Sequence, residues 1–181
     1  MEPASQSPNS AKKGQITTID LVLSISVFMV LLAIIYGAWH VKIESAASDI
    51  SEFRASIAAQ KALNSITNSP GFPSNWAVEN LDPNSDSLKG IGAAFAHGEI
   101  DATKLAALQA DYADPSKYEN TKLKMGLEPF DADIRIYYIT GVDLAVLGSP
   151  PASGSRVLAS VQKGATYNQQ PVMVRVRVWQ S

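Results

Sequence analysis

Cysteine is absent from the 181 residues, which removes disulfides, thiolate zinc sites and cysteine nucleophiles from the possible chemistry. Histidine occurs twice, as His40 and His97, too far apart for two metal ligands on one helical face. Charged residues make up 18% of the chain, below the roughly 25% of ordinary soluble domains. The formal net charge is −2, so the broad basic footprint of a nucleic-acid binder is missing and no nucleic acid is expected as a partner. There is no Asn-x-Ser/Thr acceptor for an N-linked glycan. No metal or other cofactor is indicated. A hydrolase would need a nucleophile and a base, but His97 is the one outer histidine and no nucleophile motif accompanies it, so an enzyme is not expected.

What the chain does have is apolar length. Leu21 to Trp39, LVLSISVFMVLLAIIYGAW, is nineteen residues without a charge. At about 1.5 Å per helical residue it spans roughly 28 Å, close to the hydrocarbon thickness of a bilayer. Ser24 and Ser26 lie about 200° apart around a helix and make no polar stripe, so the segment is apolar all round. A chain this short has little protein with which to bury such a helix, and membrane insertion is the expectation. Before it stands MEPASQSPNSAKKG, polar and proline-containing, expected to be disordered. Lys12 and Lys13 precede the run, whereas Lys42 on the far side is offset by Glu44. This bias places the N-terminus inside and the C-terminus outside. Cleavage after Ser45 to Ala47 by an ordinary signal peptidase is a second possibility.

The junction KKGQITTIDLVL resembles the class III signal peptide of archaeal type IV pilin-like proteins, in which a basic-Gly-Gln junction sits before the apolar helix. The resemblance implies cutting by a prepilin peptidase between Gly14 and Gln15, after Lys12 and Lys13, leaving the apolar segment at the mature N-terminus. Thr17 and Leu23 fall where the family often has serine and leucine; its usual acidic position falls on Ile19, one before Asp20. Asp20 has two readings. It is either a hydrated interfacial carboxylate or an assembly charge partner for the terminal amine of an axially shifted neighbour. The helix residues expected to serve first as the membrane span and then as the assembly surface include Leu21, Leu23, Val27, Phe28, Val30, Leu31, Ile34, Ile35 and Trp39.

Four segments follow: a cytoplasmic leader at 1–14, a transmembrane and assembly helix at 15–40, an amphipathic continuation at 41–68, and an extracellular head at 69–181. From Val41 to Asn68 there is no proline or glycine, and Ile43, Ala46 or Ala47, Ile50, Phe53 and Ile57 recur at helical spacing, with Ala62, Leu63 and Ile66 continuing an apolar face. Ser69-Pro70-Gly71 ends the helix. The stretch from Ser69 to Ile100 is loop-rich, and its aromatics are expected to pack. Asp82-Pro-Asn84-Ser-Asp86 has the opening spacing of a calcium loop but lacks its glycine and its glutamate, so a turn is expected. Asp101 caps one short helix carrying Leu105 and Leu108 inward, and Ser116 caps another from Lys117 to Met125 that Gly126 closes. Lys117, Lys122 and Lys124 read as a solvated face.

Period-two alternation marks strands at Ile134, Ile136 and Tyr138 and at Val172, Val174, Val176 and Val178; Val142 to Leu147 and Arg156 to Val161 are weaker. Arg175 and Arg177 fall on the polar face of the last strand, exposed or set to bind an anion. The fold class is α+β: a long N-terminal helix, its first half membrane-spanning, packed against a small antiparallel sheet of three or four strands with short helices, a pilin-like plan. By the resemblance, the function is a structural subunit, major or minor, of a surface filament. Its partners are the prepilin peptidase, copies of itself or related pilins, an assembly ATPase, a membrane platform protein, and lipid before assembly. The alternative is a single-pass anchored protein whose outer head binds or adheres without polymerising.

Overall fold

A computed structural model describes residues 9–180, with side chains from Ile19 onward except that of Ala47. The fold is α+β. Helix α1 (Asn9–Thr67) is followed by β1 (Ala94–Ala96), β2 (Glu99–Ile100), α2 (Ala102–Ala113), α3 (Pro115–Met125), β3 (Asp131–Tyr138), β4 (Asp143–Leu147), β5 (Val157–Tyr167) and β6 (Gln170–Trp179). α1 begins inside the stretch expected to be a disordered leader. The chain divides into two units, one ending at Ser48 and the other starting at Asp49. In the first unit every described side chain from Ile19 to Ala46 is exposed. One stretch of α1 is long and apolar enough to cross a membrane.

The second unit holds all the strands among the described residues. They form one sheet in the order β1-β2-β5-β6-β3-β4, not the three or four strands expected. All neighbours are antiparallel except β2 and β5, which run parallel. β1 and β2 are too short to show a period in sequence. β5 extends to Tyr167, beyond the expected Val161, because its polar Gln162, Lys163 and Gly164 pair with Arg175, Val174 and Met173 of β6. Pairing on a well-formed neighbour overrides a weak local pattern. Val172, Val174, Val176 and Val178, with Ala132, Ile134 and Ile136 on β3, are buried as the alternation required. Each of these valines and isoleucines contributes about 1.5–3 kcal/mol relative to exposure.

The part of α1 beyond Asp49 joins this core through Ala55, Ala58, Ala59, Ala62, Leu63 and Ile66. The apolar stripe read from the sequence is corrected here. Ile43, Ile50, Phe53 and Ile57 are exposed, and the buried face is built largely of alanine. Phe53 and Ala55 are two residues apart, about 200° around the helix, so burying one face leaves the other out. Short alanine side chains let the helix backbone sit close on its neighbours, a position that bulky side chains would hold open. After Thr67 the chain turns, with the amides of Asn68 and Ser69 both donating to the Asn64 carbonyl. Gly71 takes the left-handed conformation at φ +84°, as the Ser-Pro-Gly break requires.

Asp101 caps α2 as read from the sequence, its carboxylate accepting from the amides of Thr103 and Lys104 at 2.8 and 3.0 Å. Leu105 and Leu108 are buried below it. The cap of α3 is Asp114, not Ser116: Pro115 occupies the first helical position, and Asp114 Oδ1 accepts from both the amide and the hydroxyl of Ser116. Gly126 closes α3 at φ +76°.

A lysine-rimmed cleft and three half-buried ion pairs

Trp76 is fully buried and its indole nitrogen donates to the Gly92 carbonyl at 3.0 Å. Around this anchor two backbone segments cross. A Cβ on Gly92 would lie 2.2 Å from the Ser69 carbonyl oxygen, so only glycine fits. The Ala94 amide donates to that same carbonyl, and the Ser65 hydroxyl donates to the Ile91 carbonyl. Phe72 and the segment at 89–90 form a small antiparallel bridge: Phe72 N–H donates to Gly90 O at 2.8 Å, and Lys89 N–H to Phe72 O at 2.9 Å. Lys104, buried against this crossing, spends its ammonium on the Pro70 and Ala94 carbonyls at 3.0 and 3.1 Å. Burial holds that ammonium below the ordinary lysine value, with Asp101 pulling it partly back.

The crossing leaves an open cleft of about 670 Å³ between the end of α1, the loop at 71–91 and the end of α3. Leu88, Ile91 and Met125 are buried beneath it, Phe72 and Leu123 stand exposed along it, and Lys61, Lys89 and Lys124 come to it from three different elements. Asp86 is the one carboxylate in the lining. Lys124 donates to the Ser85 carbonyl at 2.6 Å. Burial lowers its pKa, Asp86 and Asp82 raise it, and the neighbouring positive charge of Lys89 lowers it further.

The expected solvated lysine face of α3 does not exist as such. Lys122 is buried and bonds Asp131 Oδ1 at 2.7 Å and Glu119 at 3.1 Å, with its ammonium 4.7 Å from the centre of the Tyr118 ring. Lys117 bonds Asp111 at 3.1 Å. Burial raises the Asp111 pKa and the bond from Lys117 opposes that rise. The arginines of β6 are likewise not a free face. Arg177 donates from Nε to Asp133 Oδ2 at 2.9 Å and also from Nη2, while Arg135 approaches the same carboxylate at 3.3 Å. Asp133 is fully buried. Arg175 lies 5.8 Å from the centre of the Tyr137 ring, and its Nε is buried without a hydrogen-bond partner.

Other residues singled out in sequence are not brought to a common site. The side chains of Lys12, Lys13, Gly14 and Gln15 lie outside the described residues. Asp20, Leu21, Leu23, Val27, Phe28, Val30, Leu31, Ile34, Ile35 and Trp39 are all exposed on α1. His40 pairs with Glu44 at 3.3 Å one turn on. His97 is exposed between β1 and β2. Asp82 makes a turn, accepting from the Asn84 amide at 2.8 Å, as its missing glycine and glutamate implied. Of the aromatics expected to pack, Trp76 does, whereas Phe72 and Phe95 are 68% and 70% exposed. The lysine cleft was not legible in sequence, since its cations are separated by the loop and by α2. No protein family, curated protein or solved structure matches this chain.

Proposed function

We propose that this chain is a membrane-inserted pilin-like subunit, cut between Gly14 and Gln15 by a prepilin peptidase and assembled into a surface filament through its N-terminal helix. The observation that carries the reading is the run of exposed apolar side chains on α1, Leu21 to Trp39, with no protein over it. Such a surface is stable in lipid or against other helices and costly in water. A head-to-tail contact between identical copies that does not close gives an open filament, in which neighbouring helices replace lipid. The chain contributes no chemistry of its own here; the peptidase, assembly ATPase and membrane platform are separate partners. The leader is cytoplasmic and the head lies outside. Asp20, at the edge of the apolar run, is the charge partner for a neighbour's terminal amine.

Intact-mass and N-terminal peptide mass spectrometry on membrane-extracted protein, allowing for cyclisation of an N-terminal glutamine, tests the first step. A mature chain beginning at Gln15, followed by filaments in sheared surface fractions, is the expected result. A chain retaining Lys12, Lys13 and Gly14 with no filaments overturns it. That result favours the alternative, an anchored head that binds without polymerising, for which the open cleft is the supporting feature.

A further inference from the structure

We propose that the cleft bordered by Lys61, Lys89, Lys124 and Phe72 is a binding site for an acidic oligosaccharide, a sugar chain bearing carboxylate or sulfate groups. The inference concerns the head alone and holds whether or not the chain polymerises.

Four observations carry it. Three lysines from three elements face one carboxylate, Asp86, in a protein whose overall formal charge is −2. Among the described residues Lys61 and Lys89 have no ion-pair partner, and Lys124 gives one bond to the Ser85 carbonyl, so their ammonium groups are open to an anion in the cleft. The exposed Phe72 ring and Leu123 supply an apolar platform beside those charges, over a floor of Leu88, Ile91 and Met125. A ring with polar edges and an apolar face, as in a pyranose, matches a platform flanked by ammonium groups. The volume, about 670 Å³, lies within the range of small-ligand sites, and its open mouth admits part of a longer chain.

The competing macromolecules fit less well. An extended peptide captured on a strand edge needs unpaired main-chain groups, but Phe72 and Gly90 already use theirs on the bridge across the cleft rim. A single-stranded nucleic acid needs a track of cations and several stacking rings, and one aromatic with three lysines is too short.

The test uses the full chain in detergent micelles, with fluorescent trigalacturonate and a sulfated trisaccharide as probes and the uncharged trisaccharide as comparison. Binding of either acidic probe, with the neutral sugar at least about tenfold weaker, is expected; which acidic probe is tighter tells carboxylate from sulfate. Lys61→Gln combined with Lys89→Gln should weaken that probe about tenfold or more, and Phe72→Ala about threefold or more. Arg156→Gln, a surface cation outside the cleft, should leave it unchanged. Thermal melts of each variant confirm folding; all of these side chains except Lys124 are exposed, so unaltered melts are expected. The proposal is overturned by absence of binding up to about 10 mM, by equal binding of the neutral sugar, or by indifference to the lysine pair. It is also overturned if hexaglutamate binds as tightly as the sugars and Phe72→Ala has no effect, which assigns the cleft to acidic peptide.

Discussion

Asp133 and Arg177 face each other across β3 and β6, and the fully buried Asp133 carboxylate takes a forked hydrogen bond from the Arg177 guanidinium. Because a lone buried charge has neither water nor a partner, removing one member costs more than removing both. Arg177→Met, which leaves the fully buried Asp133 with only the longer approach of Arg135 at 3.3 Å, should lower the stability of the head by about 3 kcal/mol. Asp133→Leu combined with Arg177→Met should recover most of that loss. Urea unfolding followed by Trp fluorescence measures both, and a double variant no better than Arg177→Met would show that the loss does not come from an unpaired carboxylate.

Gly92 is held by space, not by backbone conformation. A methyl group there would meet the Ser69 carbonyl oxygen at 2.2 Å, whereas one on Gly90 meets nothing within 4 Å. Gly92→Ala should destabilise the head by about 1–3 kcal/mol, as overpacking against backbone does. Gly90→Ala should be near neutral, within about 0.5 kcal/mol. Equal effects of the two in thermal melts would contradict the crossing at Trp76.

Lys122 sets a dependence on alkaline pH. Burial alone would pull its pKa down, but the hydrogen bonds to Asp131 and Glu119, with the charge interactions of Tyr118 and Asp131, together outweigh burial and hold it above the ordinary lysine value. A folded-state value above the unfolded one gives stability fully present below the unfolded pKa, near 10.5, and lost as pH rises through the folded value. Head stability should therefore fall above about pH 10. Lys117, Tyr112 and Tyr118 are shifted up as well and add to the same fall, so Lys122→Met should lessen it without abolishing it, while costing about 2 kcal/mol at neutral pH. An unchanged alkaline slope in the variant would remove Lys122 as its source.

The strand periodicity of β6 and the cap of α2 were legible in the sequence because each is local, whereas the cap of α3 lies two residues before the expected Ser116, at Asp114. The valines of β6 repeat every two residues and all fall inward, and Asp101 stands next to the helix it caps. What escaped depended on distant parts of the chain. Lys122 reads as one more surface lysine until Asp131 is placed beside it, and the cleft gathers Lys61, Lys89 and Lys124 only once α1, the loop and α3 meet. The helix stripe misled for a different reason. Hydrophobicity ranks Ile50, Phe53 and Ile57 above alanine, yet close packing selects size, and the small face went inward.

That inversion makes opposite demands on two positions of α1 that lie six residues apart. Phe53 is 67% exposed and Ala59 is fully buried in the core. Ala59→Leu should therefore destabilise the head by about 1–3 kcal/mol, since the added volume must push the helix from its neighbours. Phe53→Ala should change head stability by no more than about 0.5 kcal/mol, because its ring touches little of its own chain. If exposed apolar residues of α1 meet other copies in a filament, the same Phe53→Ala change should lower the yield of sheared filaments although the subunit is stable and processed at Gly14. Unfolding of the detergent-solubilised chain, run beside filament yield, separates the two effects. Loss of stability without loss of filaments would place Phe53 in the head's own core and leave the assembly surface to the residues before Ser48.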